Sequence, residues 1–253
     1  MTLFFIAWGN YPGFKDALMV AQCRAKCPII IRTDMPPNLQ KLFEELKKWT
    51  WPERALGIVR WAYLYQLVME TGPAAMPCFM ADWDMLMCSP LEEACEPFKD
   101  FDYCVCRDRN RSSTSAYLIN RFEVLASFMS ILPPLLATES PALIRTPDDP
   151  LHDMILWERV GQFFQWKIGT LSDIVDGGTF DANMHDDHRG FIMEDVPGNP
   201  EQTTKKIHWE DSDPYFEPND DFMVFPQHVK AHCIHCWGSY KTRTEELAKK
   251  LLS

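Results

Sequence analysis

The sequence has no excess of positive charge. Its 253 residues contain 36 Asp and Glu but only 25 Lys and Arg, which leaves a formal net charge of −11 at pH 7. Proteins that bind nucleic acids need a basic face to displace counterions from the phosphates. The acidic balance therefore argues against general nucleic-acid binding, although one or two local cations suffice for a single nucleotide.

The sequence also lacks a long uninterrupted apolar run. The most apolar stretch, residues 116–137, contains charged residues and a Pro133-Pro134 pair, whereas a membrane-spanning helix needs about 20 apolar residues. The apolar residues 2–7 have no basic region before them and are followed by turn residues, which predicts a first strand and not a signal peptide. We expect no transmembrane segment.

Cysteine is present but forms no disulfide pattern. The nine cysteines are scattered and odd in number, and a chain of this length can bury a core large enough to need no cross-links. Reduced thiols are typical of proteins in a reducing compartment. The expected location is therefore cytoplasmic.

Apolar runs and turn residues predict the order of elements in the first ninety residues. Ligands of parallel α/β sheets bind beyond the carboxyl ends of the strands. The turn at residues 9–13 is therefore expected beside the end of the third strand. The predicted strands cover residues 3–8, 28–31 and 79–87, and the predicted helices cover residues 14–26, 38–48 and 53–70, with Asn38 as a cap.

The remainder of the chain is less regular in pattern. No internal repeat or low-complexity tract is visible. Acidic, Gly- and Pro-rich composition predicts irregular loops and short strands over residues 173–221, with Asp181, Asp186 and Asp187 in solvated loops. The other predictions are a strand at 102–106, a polar loop at 107–114, a proline-rich connection at 140–150, and helices at 115–132, 151–167 and 244–252.

The residues with the clearest chemistry are Asp82 and Asp84, which interrupt an apolar run on either side of Trp83. Side chains alternate along a strand, so the two carboxylates are expected on one face and Trp83 on the other. Buried carboxylates need a counter-charge or a cation. Hard oxygen ligands suit Mg²⁺ or Mn²⁺, which often bridge the phosphates of a nucleotide.

A second motif, His235-Cys-Trp-Gly238-Ser-Tyr-Lys241, lies near the C-terminus. Together with Asp82 and Asp84, it resembles the metal-dependent glycosyltransferases of the GT-A fold, notably the glycogenin-like and lipopolysaccharide galactosyltransferase-like families. Those families carry an Asp-x-Asp pair and a closing His-x-x-Gly-x-x-Lys motif. The Pro-Trp that usually follows the lysine is replaced here by Thr242-Arg243.

The resemblance implies a role for each residue of the two motifs. It makes Asp82, Asp84 and His235 the ligands of Mn²⁺ (or Mg²⁺), and a histidine ligand favours Mn²⁺. Gly238 would allow close backbone approach to the donor. Lys241 would act catalytically, by stabilising the departing diphosphate.

Further donor contacts are expected from residues around the first motif. Residues 60–65 resemble the helix that supplies an arginine near the donor, and residues 180–184 resemble a short pattern of some of these enzymes. Arg60 is equally compatible with a salt bridge to a neighbour on its helix. The predicted donor-binding residues are Trp8, Tyr11, Arg60, Asp82, Trp83, Gly238 and Lys241.

The implied protein is one GT-A-like domain, residues 1–253, with a mostly parallel sheet flanked by helices and an irregular acceptor-side lobe. Residues 1–110 would bind the nucleotide-sugar and residues 111–253 the acceptor. The implied reaction moves a hexose from a donor, expected to be a UDP-sugar, to a hydroxyl group of a glycan or other acceptor. The closing motif occurs largely in retaining enzymes, so Asp153 is expected to line the acceptor pocket, and inversion would make it the general base.

Two other interpretations remain open from the residues alone. Haloacid dehalogenase-like phosphatases also have an Asp-x-Asp after an apolar run, but on the first strand and with Thr or Val at the position of Leu86. A non-catalytic zinc module is the other. Its candidate ligands are His232, Cys233, His235 and Cys236, with Cys104 and Cys106 as additional ligands.

Overall fold

The computed structural model describes residues 1–8, 11, 13–108, 111–137, 152–185, 190–196, 199–219, 228–236 and 238–253. Its helices are α1 (Phe14–Arg24), α2 (Pro37–Leu46), α3 (Pro52–Thr71), α4 (Leu91–Cys95), α5 (Phe122–Ala137), α6 (Asp153–Phe164) and α7 (Thr244–Leu252). Its strands are β1 (Thr2–Ile6), β2 (Ile29–Arg32), β3 (Cys78–Ala81), β4 (Met85–Met87), β5 (Tyr103–Asp108), β6 (Arg111–Ile119), β7 (Ile168–Thr170), β8 (Gly178–Phe180), β9 (Met193–Val196), β10 (Asn199–Lys205), β11 (Ile207–Glu210), β12 (Asp213–Phe216) and β13 (Val229–His235).

The central sheet has the strand order β2-β1-β3-β6-β5-β7. β1 is parallel to β2 and β3, and β5 is parallel to β7, whereas β6 runs antiparallel to both of its neighbours. Helices α2, α3, α5 and α6 contribute to the apolar cluster on one face. The predicted α/β class with a mostly parallel sheet flanked by helices is confirmed.

Both faces of the central sheet are buried. Along β1, Phe4 and Ile6 pack into the cluster beneath α3, while Leu3 and Phe5 pack into the cluster on the other face. A strand covered on both faces needs apolar residues at every position, so its sequence is a continuous apolar run. The apolar runs at 3–8 and 28–31 predict β1 and β2 for this reason. The single strand predicted at 79–87 is wrong, because the chain forms β3 up to Ala81 and then β4 of a second sheet from Met85.

The loop predicted at 107–114 and the helix predicted at 115–132 are wrong. Strand β5 continues to Asp108, and β6 returns antiparallel from Arg111 to Ile119; the helix, α5, begins only at Phe122. β6 lies between β3 and β5, so its apolar end is buried on both sides and lacks the alternation typical of a strand. Because this apolar end directly precedes the apolar helix α5, its composition predicts a continuation of that helix.

The remaining elements lie close to their predictions. Helix α2 begins at Pro37, one residue before the predicted cap, and α7 covers the predicted residues with Leu247 and Leu251 buried. The region from 173 contains the expected short strands, whereas residues 138–151 and Asp186 and Asp187 lie outside the described residues. The nine cysteines are free thiols, as predicted.

A second sheet, with the order β11-β12-β13-β4 and with β8 beside β13, packs against α1 and α7. Strand β4 runs antiparallel to β13 and follows β3 of the central sheet after only three residues. The chain therefore passes from one sheet to the other at residues 82–84. Among the described helices, none combines the length and apolarity that crossing a membrane requires.

Candidate active site

The acidic pair lies in the turn that connects the two sheets. β3 ends at Ala81, β4 begins at Met85, and the amide of Met85 donates to the carbonyl oxygen of Asp82 at 3.1 Å. The turn, and not alternation along one strand, determines how the carboxylates of Asp82 and Asp84 are placed. The charged residues that interrupt the apolar run thus mark the place where the chain passes from the central sheet to the second sheet.

Strand β13 brings His235 to this turn. In the antiparallel pairing of β13 with β4, His235 lies opposite Met85, directly beside Asp84, and the amide of Cys236 donates to the carbonyl oxygen of Asp84 at 2.9 Å. One carboxylate oxygen from each Asp and one ring nitrogen of His235 lie within 4.8 Å of one another. The structure therefore brings together Asp82, Asp84 and His235, which the sequence predicted as metal ligands.

The orientation of the His235 ring leaves one nitrogen directed at the carboxylates. Its Nδ1 lies 2.7 Å from the carbonyl oxygen of Ala182, which can only accept, so Nδ1 carries a proton. Its Nε2 lies 3.3 Å from Oδ1 of Asp84. Although these two buried atoms lie within ion-pair distance, neither has a partner among the described residues that meets the geometry of a hydrogen bond. Two unsatisfied buried donors or acceptors beside a second carboxylate fit a bound divalent cation.

The electrostatics of this group favour a positive charge at its centre. Burial alone would lower the pKa of His235, but the adjacent carboxylates of Asp84 and Asp82 outweigh burial and raise its pKa to about 9. Burial raises the pKa of Asp82 despite the nearby Arg60. Burial also acts to raise the pKa of Asp84, yet His235 and Lys241 together lower it.

Two permanent cations contact the acidic pair. Arg60 of α3, whose side chain is only 12% exposed, donates from Nη1 to Asp82, and its Nη2 lies 3.6 Å from Oδ2 of Asp153. Lys241 has its Nζ 3.3 Å from Oδ2 of Asp84 and 4.0 Å from the centre of the Trp83 ring. Arg60 is thus an ion-pair partner of residues outside its own helix.

Aromatic rings border the same place. The rings of Tyr11 and Trp83 are stacked, with centroids 4.2 Å apart and planes 13° apart. Trp8 stacks against Tyr63, and its buried indole N–H has no hydrogen-bond acceptor among the described residues. A cavity of about 340 Å³ is lined by Ile6, Ala7, Trp8, Tyr11, Glu53, Arg54, Leu56, Gly57, Arg60, Asp82, Trp83, His152, Asp153 and Met154.

Gly238 begins the 3₁₀ turn Gly238–Arg243 that contains Lys241. Its φ of +61° lies in the left-handed region, which favours glycine because a side chain would be strained there. No described protein atom lies within 4 Å of the place that a Cβ atom would occupy. The structure explains this glycine by its backbone conformation, and its predicted contact with the donor stays a prediction.

Asp153 lies in the cavity lining, but its carboxylate is held by neighbours. Oδ2 accepts a hydrogen bond from the indole of Trp61 at 3.1 Å and lies near Arg60, while Oδ1 accepts from the amide of Met154 at 3.1 Å. Gly57 lets α3 approach this carboxylate, because a Cβ there would lie 3.2 Å from Oδ1. Asp153 is 4% exposed.

Sequence reasoning missed a buried ion pair behind His235. Asp181, which we predicted to be solvated, is 1% exposed, and its Oδ1 accepts from Nζ of Lys205 at 2.6 Å. Its Oδ2 accepts from the amide of His235 at 2.9 Å. The signal in the sequence was the pattern at residues 180–184, where a lone acidic residue lies between apolar ones.

The structure does not assemble the zinc module. Among the described residues, no group of three potential ligands includes a cysteine. Cys233 and Cys236 pack in different apolar clusters, and Nδ1 of His232 lies 3.1 Å from Oγ of Ser89. The acidic pair follows β3 and not the first strand, unlike the pair of the phosphatase motif.

No protein-family model and no curated protein sequence matches the chain. Among solved structures, mouse xyloside xylosyltransferase 1 is similar, with a TM-score of 0.47 and 14% identity over 68% of this chain and 85% of that one. The glycosyltransferase GlyE of Streptococcus pneumoniae TIGR4 is similar, with a TM-score of 0.41 and 13% identity over 70% of this chain and 46% of that one.

Proposed function

We propose that the chain is a divalent-metal-dependent glycosyltransferase, which moves a hexose from a UDP-sugar to a hydroxyl acceptor with retention. The observation that carries this proposal is the convergence of Asp82, Asp84 and His235 within 4.8 Å, beside a cavity lined by aromatic residues. The ligand set, two carboxylates and one imidazole, suits Mn²⁺ better than an all-oxygen set would.

The balance of charge supports a diphosphate as the group bound here. Three carboxylates, those of Asp82, Asp84 and Asp153, face two permanent cations, Arg60 and Lys241. A proton on His235 therefore makes the group neutral. A divalent cation in place of that proton would leave one net positive charge, and such a surplus attracts an anionic ligand.

A bound divalent cation supplies Lewis-acid stabilisation of the leaving diphosphate. Lys241 is placed to add to it, because its Nζ lies 3.3 Å from Oδ2 of Asp84 and 4.0 Å from the centre of the ring of Trp83, a residue of the cavity lining. A fixed cation at the point where negative charge develops lowers the barrier to bond breaking. The stacked rings of Tyr11 and Trp83 offer a flat apolar surface for a base or a sugar.

We assign Asp153 to the positioning of Arg60. Asp153 is only 4% exposed and both of its oxygens accept hydrogen bonds, from Trp61 and Met154, whereas a general base needs an oxygen within hydrogen-bond reach of the acceptor hydroxyl. This arrangement supports retention, for which no such base is required. Proton NMR of the fresh product reports the anomeric configuration. An inverted product, lost in Asp153→Asn while donor binding survives, would return Asp153 to the role of base.

The test of the proposal is metal-dependent turnover of a nucleotide-sugar. UDP-, GDP- and dTDP-hexoses should be compared in the presence of Mn²⁺ and of EDTA, with release of the nucleoside diphosphate as the measure. We expect hydrolysis of a UDP-hexose that EDTA abolishes. Asp84→Asn should lose it, whereas the control Asp195→Asn, an exposed residue of β9, should not. Equal Mn²⁺-dependent rates in both variants would refute the proposal.

A further inference from the structure

A second group of metal-ligand side chains lies outside the candidate active site, on the second sheet. His208 and Glu210 belong to β11, and His228 directly precedes β13. One potential ligand atom from each of the three lies within 4.8 Å of the others. Nδ1 of His228 is 3.5 Å, and Nε2 of His208 is 3.9 Å, from Oε1 of Glu210.

The pairing of the strands explains why these residues meet on an accessible face. Three residues on neighbouring strands pair across the sheet and form one row: Ile207 of β11, Phe216 of β12 and Val229 of β13. Phe216 and Val229 are buried, so this row points to the buried face of the sheet. Residues of the next row, which includes His208, therefore point to the other face. The side chains of His208, Glu210 and His228 are 39%, 55% and 27% exposed, so solvent ions reach them.

We propose that His208, Glu210 and His228 form a binding site for Zn²⁺ or a similar transition-metal ion. Zinc binds imidazole nitrogen and carboxylate oxygen at about 2.0–2.2 Å, and the edge of such a tetrahedron is about 3.3 Å long. The observed separations of 3.5 and 3.9 Å need only small side-chain movements to reach that value. Two imidazoles and one carboxylate leave a fourth position for water or for another ligand.

The two imidazole rings lie close enough together to share one ion with Glu210. Their centroids are 4.0 Å apart and their planes differ by 23°. One nitrogen of each ring lies within 3.9 Å of the same oxygen of Glu210. Histidine binds metals through the lone pair of a neutral ring nitrogen, so a rotation of the stacked rings would direct both lone pairs at one divalent ion.

The ion would connect strands that are not direct neighbours. β11 is the edge strand of the second sheet, and β12 separates it from β13. A metal ion bound by His208 and Glu210 of β11 and by His228 beside β13 would link the edge strand to β13, on the far side of β12. Because such a site is formed in the folded chain, binding also stabilises the fold.

The test is the zinc content of the 253-residue chain, stripped with EDTA and then dialysed against Zn²⁺. We expect the wild type to bind one more equivalent than either His208→Ala or His228→Ala. The matched control is Glu217→Gln, because Glu217 is an acidic residue at the end of β12 that pairs with Lys206 outside the cluster. Glu210→Gln should lose the equivalent and Glu217→Gln should keep it.

Two further measurements separate this site from the candidate active site. Asp84→Asn should still bind one equivalent more than the double variant Asp84→Asn/His208→Ala, and a chain that loses zinc in Asp84→Asn but keeps it in His208→Ala binds zinc at the active site only. Zinc should also raise the melting temperature of the wild type by more than it raises that of His208→Ala, whose active-site ligands are unchanged. The same zinc content in the wild type and in both histidine variants would overturn the proposal.

Discussion

At the scale of single residues, the candidate site is defined by buried charge that is paired across the chain. Arg60 contacts Asp82 and Asp153, and Lys241 contacts Asp84. A buried charge is tolerated only with a partner, because removal from water costs several kcal/mol per ion. Each of these pairs therefore constrains what the site can bind.

Substitution of Lys241 should affect catalysis more than donor binding. In Lys241→Met the side chain can still cover Trp83, but the charge that we propose to lie near the donor diphosphate is lost. Because a preorganised charge acts mainly on the transition state, we expect kcat to fall about 100-fold with little change in KM. Steady-state kinetics measure this. Lys249→Met, an exposed position of α7, is the control. A change confined to KM would restrict Lys241 to donor docking.

Substitution of Lys205 should affect stability. Lys205→Met leaves Asp181 buried without its counter-charge, which should cost about 3–5 kcal/mol of the free energy of unfolding. Lys206→Met is the adjacent control; it removes a partly exposed pair with Glu217 and should cost at most about 1 kcal/mol. Urea denaturation compares the two. Equal losses would show that the Asp181 pair is no more important than a surface one.

At the scale of elements, β13 is the strand whose pairing positions His235 beside the acidic turn. It pairs with β4, β8 and β12, carries His235 to the acidic turn and carries His232 beneath β8. A Cβ atom on Gly178 of β8 would lie 2.1 Å from Nε2 of His232, so only glycine leaves room for this ring. The packing of β13 against β8 therefore depends on a half-buried, uncharged histidine whose ring is enclosed on the side of Gly178.

This enclosure makes stability depend on pH. Burial first, and the charge of Lys230 second, lower the pKa of His232 to about 4, below its ordinary value of 6.5. Above pH 6.5 the ring is neutral in both the folded and unfolded chain. Between pH 6.5 and 4 only the unfolded chain takes up the proton, so stability should fall with pH by up to about 3 kcal/mol.

Unfolding in urea at a series of pH values, for the wild type and His232→Asn, measures this effect. The variant lacks the titrating ring, so its free energy of unfolding should fall less steeply than that of the wild type between pH 6.5 and 4. Parallel curves for the two proteins over this range would contradict the assignment to His232.

At the scale of the whole molecule, the protein is acidic, whereas the candidate active site would carry a net positive charge once a divalent cation is bound. The net charge of −11 repels anions at long range, and salt screens that repulsion within about 10 Å. Binding of the proposed anionic donor would therefore depend on the cations placed at the junction of the two sheets. A divalent ion is expected to contribute most of that positive charge.

Donor and metal should accordingly stabilise the whole fold together. With UDP and Mn²⁺ at about 100 times the dissociation constant, we expect about 2.7 kcal/mol of stabilisation, an increase of about 5–10 °C in melting temperature. UDP with EDTA should give little increase. In Asp84→Asn the metal-dependent part should disappear, because a ligand charge is lost. The same increase with EDTA as with Mn²⁺ would show that the nucleotide binds without metal.

The sequence was sufficient for features that depend on neighbouring residues. Continuous apolar runs located β1, β2 and β3, helical spacing located α7, and the two short motifs selected Asp82, Asp84, His235 and Lys241. β6 was missed because a strand buried on both faces has the same apolar composition as a buried helix. Asp181 was missed because its partner, Lys205, lies 24 residues away.

By itself, the sequence determined which chemical groups the protein has and which elements carry them, because composition and periodicity are local properties. Only the tertiary structure decided which of these groups meet. The register of β13 against β4 places His235 beside Asp84, and the approach of α6 to α3 at Gly57 turns Asp153 towards Arg60. Such contacts depend on strand pairing and helix packing across the whole chain, which no local pattern encodes.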